Sequence, residues 1–350
     1  MLEAVANAAS ALGLERTRVL VAVSGGIDSS CLLDVLCELR GKLDLEIAVG
    51  HVNHGLRGPA SEGDAAFVRE LASERGCRFH CAEANPTGLR ENTSSRERPT
   101  VQEAARSTRY EALNRLCDEA AAQRIATANN ANDQAETVLL RLVRGSGPDG
   151  LGGIPECSSD GRVVRPLLSV TRKQIEAWAA ERGLVWREDA SNANTTYARN
   201  RLRHEVLPQL ERSFNRRVLR TLANFAETTR RDAEWIGSIV EAEAATRFQT
   251  IEAADGVSVV IQGAGWDGVP DALARRLVVR LLCDLGIGRE ASRAHLERVI
   301  DFLRRGENTP AGRAIELPCG VRLMRKRSSF EAFRVPIRVP VPGAPGEGAC

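Results

Sequence analysis

The stretch "RVLVAVSGGIDSSCLL", residues 18–33, decides the fold of the first half of this chain. It predicts a short buried strand at 19–23, a tight turn at 24–26 and then the beginning of a helix. A strand, turn and helix in this order direct several backbone N–H groups and the positive end of a helix dipole at one point, as phosphate sites do. Asp28 adds a carboxylate to the first turn of that helix, where it would repel a bare phosphate. The stretch therefore predicts an anion-binding site, and the presence of the Asp28 carboxylate in that site has to be explained.

The composition is that of an ordinary globular protein. With 350 residues the chain is long enough for about two domains. Hydrophobic residues make up 43% and charged residues 27%, and a net charge of +2 is too small to indicate a nucleic-acid partner by itself. No apolar run approaches the roughly 20 residues that span a bilayer, and the N-terminus has no signal-peptide pattern. We therefore expect a cytoplasmic protein with no membrane partner.

The cysteines do not form a recognisable framework. There are nine, scattered along the chain, and no two of them are spaced as Cys-x-x-Cys. This pattern argues against a disulfide scaffold and against a zinc ribbon. Most of these thiols are expected to be small buried hydrophobic groups.

Short apolar runs alternate with helical patterns through the first half of the chain. This alternation predicts an α/β fold with a doubly wound, mostly parallel sheet. In such a sheet the functional site lies at the carboxyl ends of the strands. The predicted strands are 19–23, 45–52, 77–82, 124–128 and 163–166, and the predicted helices are 29–40, 61–75, 101–123 and 133–144.

A change of pattern near residue 215 predicts a second, smaller and mainly helical domain with short strand-like pieces. We assign residues 1–214 to the first domain, 215–337 to the second and 338–350 to a frayed Pro/Gly-rich tail. Two loops interrupt the first domain. Residues 84–100 predict a mobile flap, and the glycine-rich residues 145–153 predict a loop that is flexible or turns tightly.

The glycine turn differs from two widespread phosphate loops. A Walker P-loop requires a lysine after its last glycine, and all three lysines of this chain, Lys42, Lys173 and Lys326, lie elsewhere. The dinucleotide fingerprint Gly-x-Gly-x-x-Gly is missing as well, because Gly25 and Gly26 are adjacent. The string Ser-Gly-Gly-Ile-Asp-Ser instead resembles the pyrophosphate loop of the N-type ATP pyrophosphatases, which cleave ATP between its α and β phosphates.

This resemblance explains the acid in the loop. A carboxylate in a pyrophosphate-binding loop is favourable when Mg²⁺ bridges it to the leaving pyrophosphate, because the cation attracts both anions and removes their mutual repulsion. Asp28 is therefore predicted as a metal ligand. His51 and Asn53, at the end of the second strand, could contact the nucleotide, although a lone histidine is more often structural. The predicted ATP-binding residues are Ser24, Gly25, Gly26, Ile27, Asp28, Ser29, His51 and Asn53.

Five further segments narrow the resemblance. They are "HVNHGLRG" (51–58), "EAARSTRY" (103–110), "TANNANDQAETVLLRLVRGSGPDGLGGI" (127–154), "VVRPLL" (163–168) and "EDASNANTTYARNRLRHEVLP" (188–208). Together with the loop, they resemble the tRNA(Ile)-lysidine synthetases, and the likeness extends over nearly the whole chain. It implies an enzyme that uses ATP to adenylate the C2 oxygen of the wobble cytidine in a CAU-anticodon isoleucine tRNA. Free L-lysine then displaces AMP through its side-chain amine, giving lysidine.

A carboxylate pair suits the lysine step of that reaction. Asp133 and Glu136 are three residues apart at the start of a helix, so both lie on one face. The ammonium of lysine must be held and then deprotonated, and two carboxylates serve both purposes. The structural alternative is ordinary capping by acids at a helix N-terminus. Arg106 is the third predicted catalytic residue, for phosphate charge or cytidine positioning, with a surface pair to Glu103 as its alternative.

Basic residues cluster locally in two places. Residues 196–220 contain seven arginines and two glutamates, a formal charge of +5, and residues 322–327 form a second cluster. Such clusters are expected where RNA phosphates bind, although any single one is more often a solvated helix face. The predicted tRNA-binding residues are Arg199, Arg201, Arg203, Arg216, Arg217, Arg325 and Lys326.

The chain departs from the family pattern at three positions. Asn129, Asn130 and Asn132 stand where the family usually has two histidines and an aspartate. Asparagine forms hydrogen bonds but does not titrate, so we expect retained ATP binding with lowered turnover. An amide at Asn132 is expected to cap the following helix.

Two alternatives remain open, namely a tRNA thiolase of the same superfamily and a non-catalytic RNA-binding homologue. The sequence does not indicate the oligomeric state.

Overall fold

The computed structural model describes residues 1–53, 59–91, 99–187, 198–253, 256–288 and 290–334. The chain forms two compact units, Met1–Ala233 and Glu234–Cys350. The domain boundary predicted after residue 214 stays a prediction, and the predicted tail at 338–350 lies outside the described residues. No helix in the described ranges is long and apolar enough to cross a membrane.

A parallel five-stranded sheet forms the centre of the first unit, in the order β3-β2-β1-β4-β5. The fold class and all five strands predicted from the apolar runs are confirmed. The central strand is buried along nearly its whole length, because helices cover both faces of a parallel sheet. The strands are β1 (Arg18–Ala22), β2 (Glu46–Asn53), β3 (Arg78–Glu83), β4 (Arg124–Ala126) and β5 (Val163–Val164).

Two helices of the first unit begin at capping boxes that are visible in the sequence. Thr100 and Thr171 each form a capping box, with Glu103 and Gln174 respectively. The helices are α1 (Leu2–Ala11), α2 (Ile27–Glu38), α3 (Arg40–Leu43), α4 (Pro59–Glu74), α5 (Pro86–Glu91), α6 (Val101–Glu119), α7 (Ala131–Val143), α8 (Pro148–Leu151), α9 (Arg172–Glu181), α10 (Ala198–Arg201) and α11 (Leu207–Ser213), with a π-helical turn at Leu202–Val206.

Both predicted loops contain a helical turn. Helix α5 occupies part of the segment 84–100, whose residues 92–98 lie outside the described ranges. Helix α8, a single turn, lies within 145–153, where the glycine content had predicted a flexible or tightly turning loop and regular structure was not expected. Pro148 at the first position of α8 explains the turn, because its fixed φ favours a helix start despite the surrounding glycines.

The second unit combines helices with an antiparallel five-stranded sheet in the order β6-β7-β10-β9-β8. Its sheet is larger than the strand-like pieces predicted. Strand β6 follows the preceding helix directly, with no residue between them, and is defined by its pairing with β7, Phe248 opposite Ile261. The strands are β6 (Phe248–Ala253), β7 (Gly256–Gln262), β8 (Ala314–Glu316), β9 (Val321–Arg325) and β10 (Ser329–Arg334). The helices are α12 (Val218–Arg247), which begins within the range of the first unit, α13 (Asp271–Asp284) and α14 (Arg293–Arg304).

Candidate active site at the carboxyl ends of β1 and β4

The glycine turn joins β1 to α2 and is held by one buried hydroxyl. Ser29 Oγ donates to the carbonyl of Gly26 at 2.9 Å and accepts from the backbone N–H of Ser24 at 3.1 Å. Gly25 has a φ of +92°, a conformation that favours glycine. Gly26 caps α2 in extended conformation, so Ile27 begins the helix. The turn is therefore shaped around the positive end of α2 before any anion binds.

Asp28 is the partly buried acid of this turn. Its Oδ2 accepts from Arg172 Nη1 at 2.9 Å, whereas its Oδ1 is buried without a hydrogen-bond partner among the described residues. Burial raises the pKa of Asp28, an effect that Arg172 partly offsets. Arg172 was missed from the sequence, because it belongs to α9 and no local motif connects it to the turn.

The free oxygen of Asp28 fits the Mg²⁺ ion that the resemblance implies. Magnesium prefers oxygen ligands and is usually held by one or two carboxylates together with substrate phosphates. Among the described residues, no group of three or more His, Cys, Asp or Glu side chains could hold a metal ion. One hard oxygen without a hydrogen-bond partner, beside the glycine turn, matches the chemistry of a metal site shared between a carboxylate and a phosphate.

His51 lies at the end of β2 and is buried. Its Nδ1 is 2.9 Å from the carbonyl oxygen of Val23, and burial lowers its pKa. We therefore assign a neutral ring whose Nδ1–H donates to Val23, leaving Nε2 as an acceptor. Asn53 is the last residue of the same strand, and its carbonyl accepts from Ala84 N at 2.8 Å. His54 lies outside the described residues.

Asn130 caps the helix that carries the carboxylate pair. Its Oδ1 accepts from the N–H groups of Asn132 at 2.9 Å and Asp133 at 3.1 Å, while Asp133 Oδ2 accepts from Asn130 N at 3.1 Å. The prediction that Asn132 caps this helix was wrong, because α7 begins earlier, at Ala131. Asn132 Oδ1 instead accepts from the backbone N–H of Arg172 at 3.0 Å.

Two predicted catalytic acids and two predicted RNA-binding arginines form one cluster. Arg199 donates through Nε to Glu136 Oε2 at 2.7 Å and through Nη2 to Asp133 Oδ1 at 3.0 Å. Arg203 donates through Nε to Glu136 Oε1 at 2.6 Å and through Nη2 to Asp133 Oδ1 and Glu136 Oε2, both at 3.1 Å. The Glu136 side chain is 0% exposed and that of Asp133 14%. We call these four residues the acid–arginine cluster.

The acid–arginine cluster is electrostatically coupled to the glycine turn. The charge of Asp133 raises the pKa of Asp28, while that of Arg203 lowers it, although burial has the larger effect. Burial lowers the pKa of Arg203, but the hydrogen bond and charge of Glu136 outweigh it, so that pKa lies above its ordinary value. The turn and the cluster therefore belong to one site.

Arg106 makes no hydrogen bond or ion pair with these groups in the described part of the chain, and its catalytic role stays a prediction. It is exposed, and its guanidinium lies 5.0 Å from the centre of the Tyr110 ring. Arg109, one turn further along α6, is less exposed, and burial lowers its pKa. Its charge also contributes to the lowered pKa of His51, after burial. Of the two arginines in "EAARSTRY", Arg109 is therefore the one whose charge contributes to the lowered pKa of His51.

The remaining predicted RNA-binding residues differ in exposure. Arg201, Arg216 and Arg217 are exposed, whereas Arg325 is 3% exposed. Arg325 Nη1 donates to the Ser329 carbonyl at 2.9 Å, and its guanidinium lies over the Phe330 ring, so it does not offer a phosphate contact. Alternation along β9, where 321, 323 and 325 are buried, is the signal that could have revealed this. Lys326 pairs with Glu331 at 2.9 Å.

Comparison with known proteins relates the whole site to one family. Residues 2–210 match the PP-loop domain. The chain is 40% identical over 320 residues to tRNA(Ile)-lysidine synthase of Solibacter usitatus, covering 91% of this chain and 67% of that protein. It is 38% identical to tRNA(Ile)-lysidine synthase of Symbiobacterium thermophilum, covering 87% of this chain and 63% of that protein. The chain thus spans about two thirds of the length of these curated relatives.

A solved structure shares the fold. The U34-tRNA thiolase NcsA from Methanococcus maripaludis, with its [4Fe-4S] cluster, matches with a TM-score of 0.53 and 18% identity, over 66% of this chain and 79% of that chain. An identity this low shows the fold alone. The domain match and the sequence identity to the synthases show more: this chain belongs to the tRNA(Ile)-lysidine synthase family of PP-loop proteins.

Proposed function

We propose that this protein attaches free L-lysine to C2 of the wobble cytidine in CAU-anticodon isoleucine tRNA, using ATP. The cytidine O2 attacks the α-phosphate of ATP and releases pyrophosphate; the lysine side-chain amine then attacks C2 and releases AMP. The observation that carries the proposal is the link that Arg172 makes between the glycine turn and α7, the helix of the carboxylate pair. Its guanidinium donates to Asp28 Oδ2 at 2.9 Å, and its backbone N–H donates to Asn132 Oδ1 at 3.0 Å. One site thus combines groups suited to a polyphosphate with groups suited to an ammonium.

The first step uses the turn between β1 and α2. Its backbone N–H groups and the N-terminus of α2 attract the β and γ phosphates. Arg172 orients Asp28 through Oδ2 and leaves Oδ1 free for Mg²⁺, which supplies positive charge to the polyphosphate when bound. His51, neutral and fixed through Nδ1, offers Nε2 as an acceptor for a nucleotide donor.

The second step uses Asp133 and Glu136. Their carboxylates would hold the lysine ammonium, and one of them would take its proton, because an ammonium has no lone pair for attack. The released AMP carries away the oxygen that cytidine O2 contributed, so the new bond is C2–N.

Labelled-lysine incorporation tests this function. Purified protein is incubated with Mg-ATP, radiolabelled lysine and unmodified CAU-anticodon isoleucine tRNA, with methionine tRNA of the same anticodon as the RNA control. We expect ATP-dependent label on the isoleucine tRNA alone. Asp28→Asn should abolish incorporation, whereas the matched variant Asp118→Asn, an exposed acid outside the site, should retain it. Label from a sulfur donor, or retained function in Asp28→Asn, would contradict the proposal.

A further inference from the structure

The lysine site of the proposed reaction is filled by the protein's own cations. In the acid–arginine cluster, Asp133 and Glu136 together accept five hydrogen bonds from Arg199 and Arg203. Asp133 Oδ2 is also engaged, by the capping box of α7. An incoming lysine ammonium needs the same carboxylate oxygens, so it competes with two guanidinium groups already bound.

The charges of this site also oppose lysine binding while both arginines are in place. The three acids Asp28, Asp133 and Glu136 face three guanidinium groups, those of Arg172, Arg199 and Arg203. A lysine ammonium added to this neutral set would leave an uncompensated positive charge beside a fully buried carboxylate, which is unfavourable. Removing one arginine from the carboxylates restores the balance and frees acceptors.

Both arginine side chains are exposed enough to move away from the carboxylates. Their side chains are 44% and 34% exposed, although the carboxylates they bind are almost completely buried. They lie on the short helix α10 and the π-helical turn after it, next to the exposed Arg201. A guanidinium bonds to phosphate through the same forked geometry that it uses for carboxylate, so exchange between the two anions preserves charge-assisted hydrogen bonds.

We propose that Arg199 and Arg203 keep the lysine site closed in the RNA-free protein, and that tRNA phosphates open it by drawing these guanidinium groups away. The proposal rests on the proposed function, because it assigns a regulation to that same site. Its consequence is an order of events: lysine binds well only after RNA is bound. Such coupling would prevent lysine from reacting with ATP when no cytidine is present.

Calorimetric titration of lysine tests the coupling. Lysine is titrated into the full chain with an ATP analogue that resists cleavage between the α and β phosphates, with and without CAU-anticodon isoleucine tRNA. Linked sites usually change each other's affinity about 5- to 150-fold, so we expect RNA to lower the lysine Kd by a factor in that range. By the same linkage, saturating lysine should tighten tRNA binding by an equal factor.

Variants identify the residues responsible. Arg199→Gln and Arg203→Gln should bind lysine more tightly than the wild type without RNA, and RNA should then change their lysine Kd little. Arg203→Lys, which keeps the charge but loses the forked contact, covers the case in which Arg203→Gln fails to fold. The matched control is Arg231→Gln, an exposed arginine paired with Glu227 on α12, which should behave as the wild type.

Several results would overturn the proposal. An equal lysine Kd with and without RNA would show that the arginines do not close the site. Weaker lysine binding in both arginine variants would show that they position the carboxylates instead of blocking them. In either case ATP-dependent lysine incorporation would still support the proposed function. Absence of both lysine binding and incorporation, with RNA bound, would overturn the function and the closure together.

Discussion

Replacing Asp34 with alanine is expected to destabilise the first unit by about 3 kcal/mol. The Asp34 side chain is 0% exposed and connects α2 to two other segments. Its Oδ1 accepts from Arg75 Nη1, which follows α4, while its Oδ2 accepts from Trp178 Nε1 at 2.8 Å and lies 3.3 Å from Arg182 Nε. The variant therefore leaves two guanidinium groups and one indole N–H without their shared acceptor.

The magnitude follows from burial. Removing one partner of a buried ion pair costs about 3–5 kcal/mol, because the remaining charge loses its compensation. The Arg75 and Arg182 side chains are 24% and 37% exposed, so water partly replaces the lost carboxylate and the lower end of that range applies. The matched control is Asp118→Ala, whose exposed ion pair with Arg162 should contribute less than about 1 kcal/mol.

Urea-dependent amide hydrogen exchange, read by mass spectrometry, measures this loss. The method gives free energies of unfolding peptide by peptide, so the first unit is measured apart from the second. Peptides from β1 and α2 serve as reporters. A loss below about 1 kcal/mol in Asp34→Ala, or an equal loss in Asp118→Ala, would refute the reasoning that burial determines the strength of this ion pair.

Three further outcomes are expected. Asp28→Asn should be more stable than the wild type at pH 7 and lose this advantage at low pH. The folded-state pKa of Asp28 is raised, so the protonated acid stabilises the wild type at low pH, and this stabilisation is lost as the pH rises through that pKa, whereas asparagine stays neutral. Urea unfolding at several pH values measures the difference in free energy of unfolding. Gly153→Ala should lower stability by roughly 2 kcal/mol, because φ there is +65° and a Cβ would overlap the Gln134 amide; a shift of the urea midpoint reports it. Replacing Asn129 and Asn130 with histidine should raise the rate of lysine incorporation. The same change should lower the free energy of unfolding by about 1 kcal/mol, because the Asn130 cap of α7 is lost. An unchanged kcat would count against the view that the missing imidazoles limit turnover.

Local sequence patterns determined the strands, the glycine turn and several of the helices of the first unit. Continuous apolar runs between helical segments identified the five parallel strands, most clearly the central β1, because burial on both faces removes the alternation of half-exposed strands. The string from Ser24 to Ser29 located the glycine turn between β1 and α2, since φ and hydrogen-bonding requirements act within a few residues. Helix starts were less certain: the cap of α7 is Asn130, two residues before the asparagine predicted for that role.

Only the tertiary structure decided which charged groups meet. Arg172 reaches Asp28 across 144 residues of chain, and Arg199 reaches Glu136 across 63. A basic segment looks the same in sequence whether its arginines face solvent or a buried carboxylate, so the acid–arginine cluster could not be foreseen. Strand β6 depended in the same way on its partner β7. The physical reason is common to these cases: backbone preferences are local, whereas ion pairing and strand pairing depend on how distant segments pack.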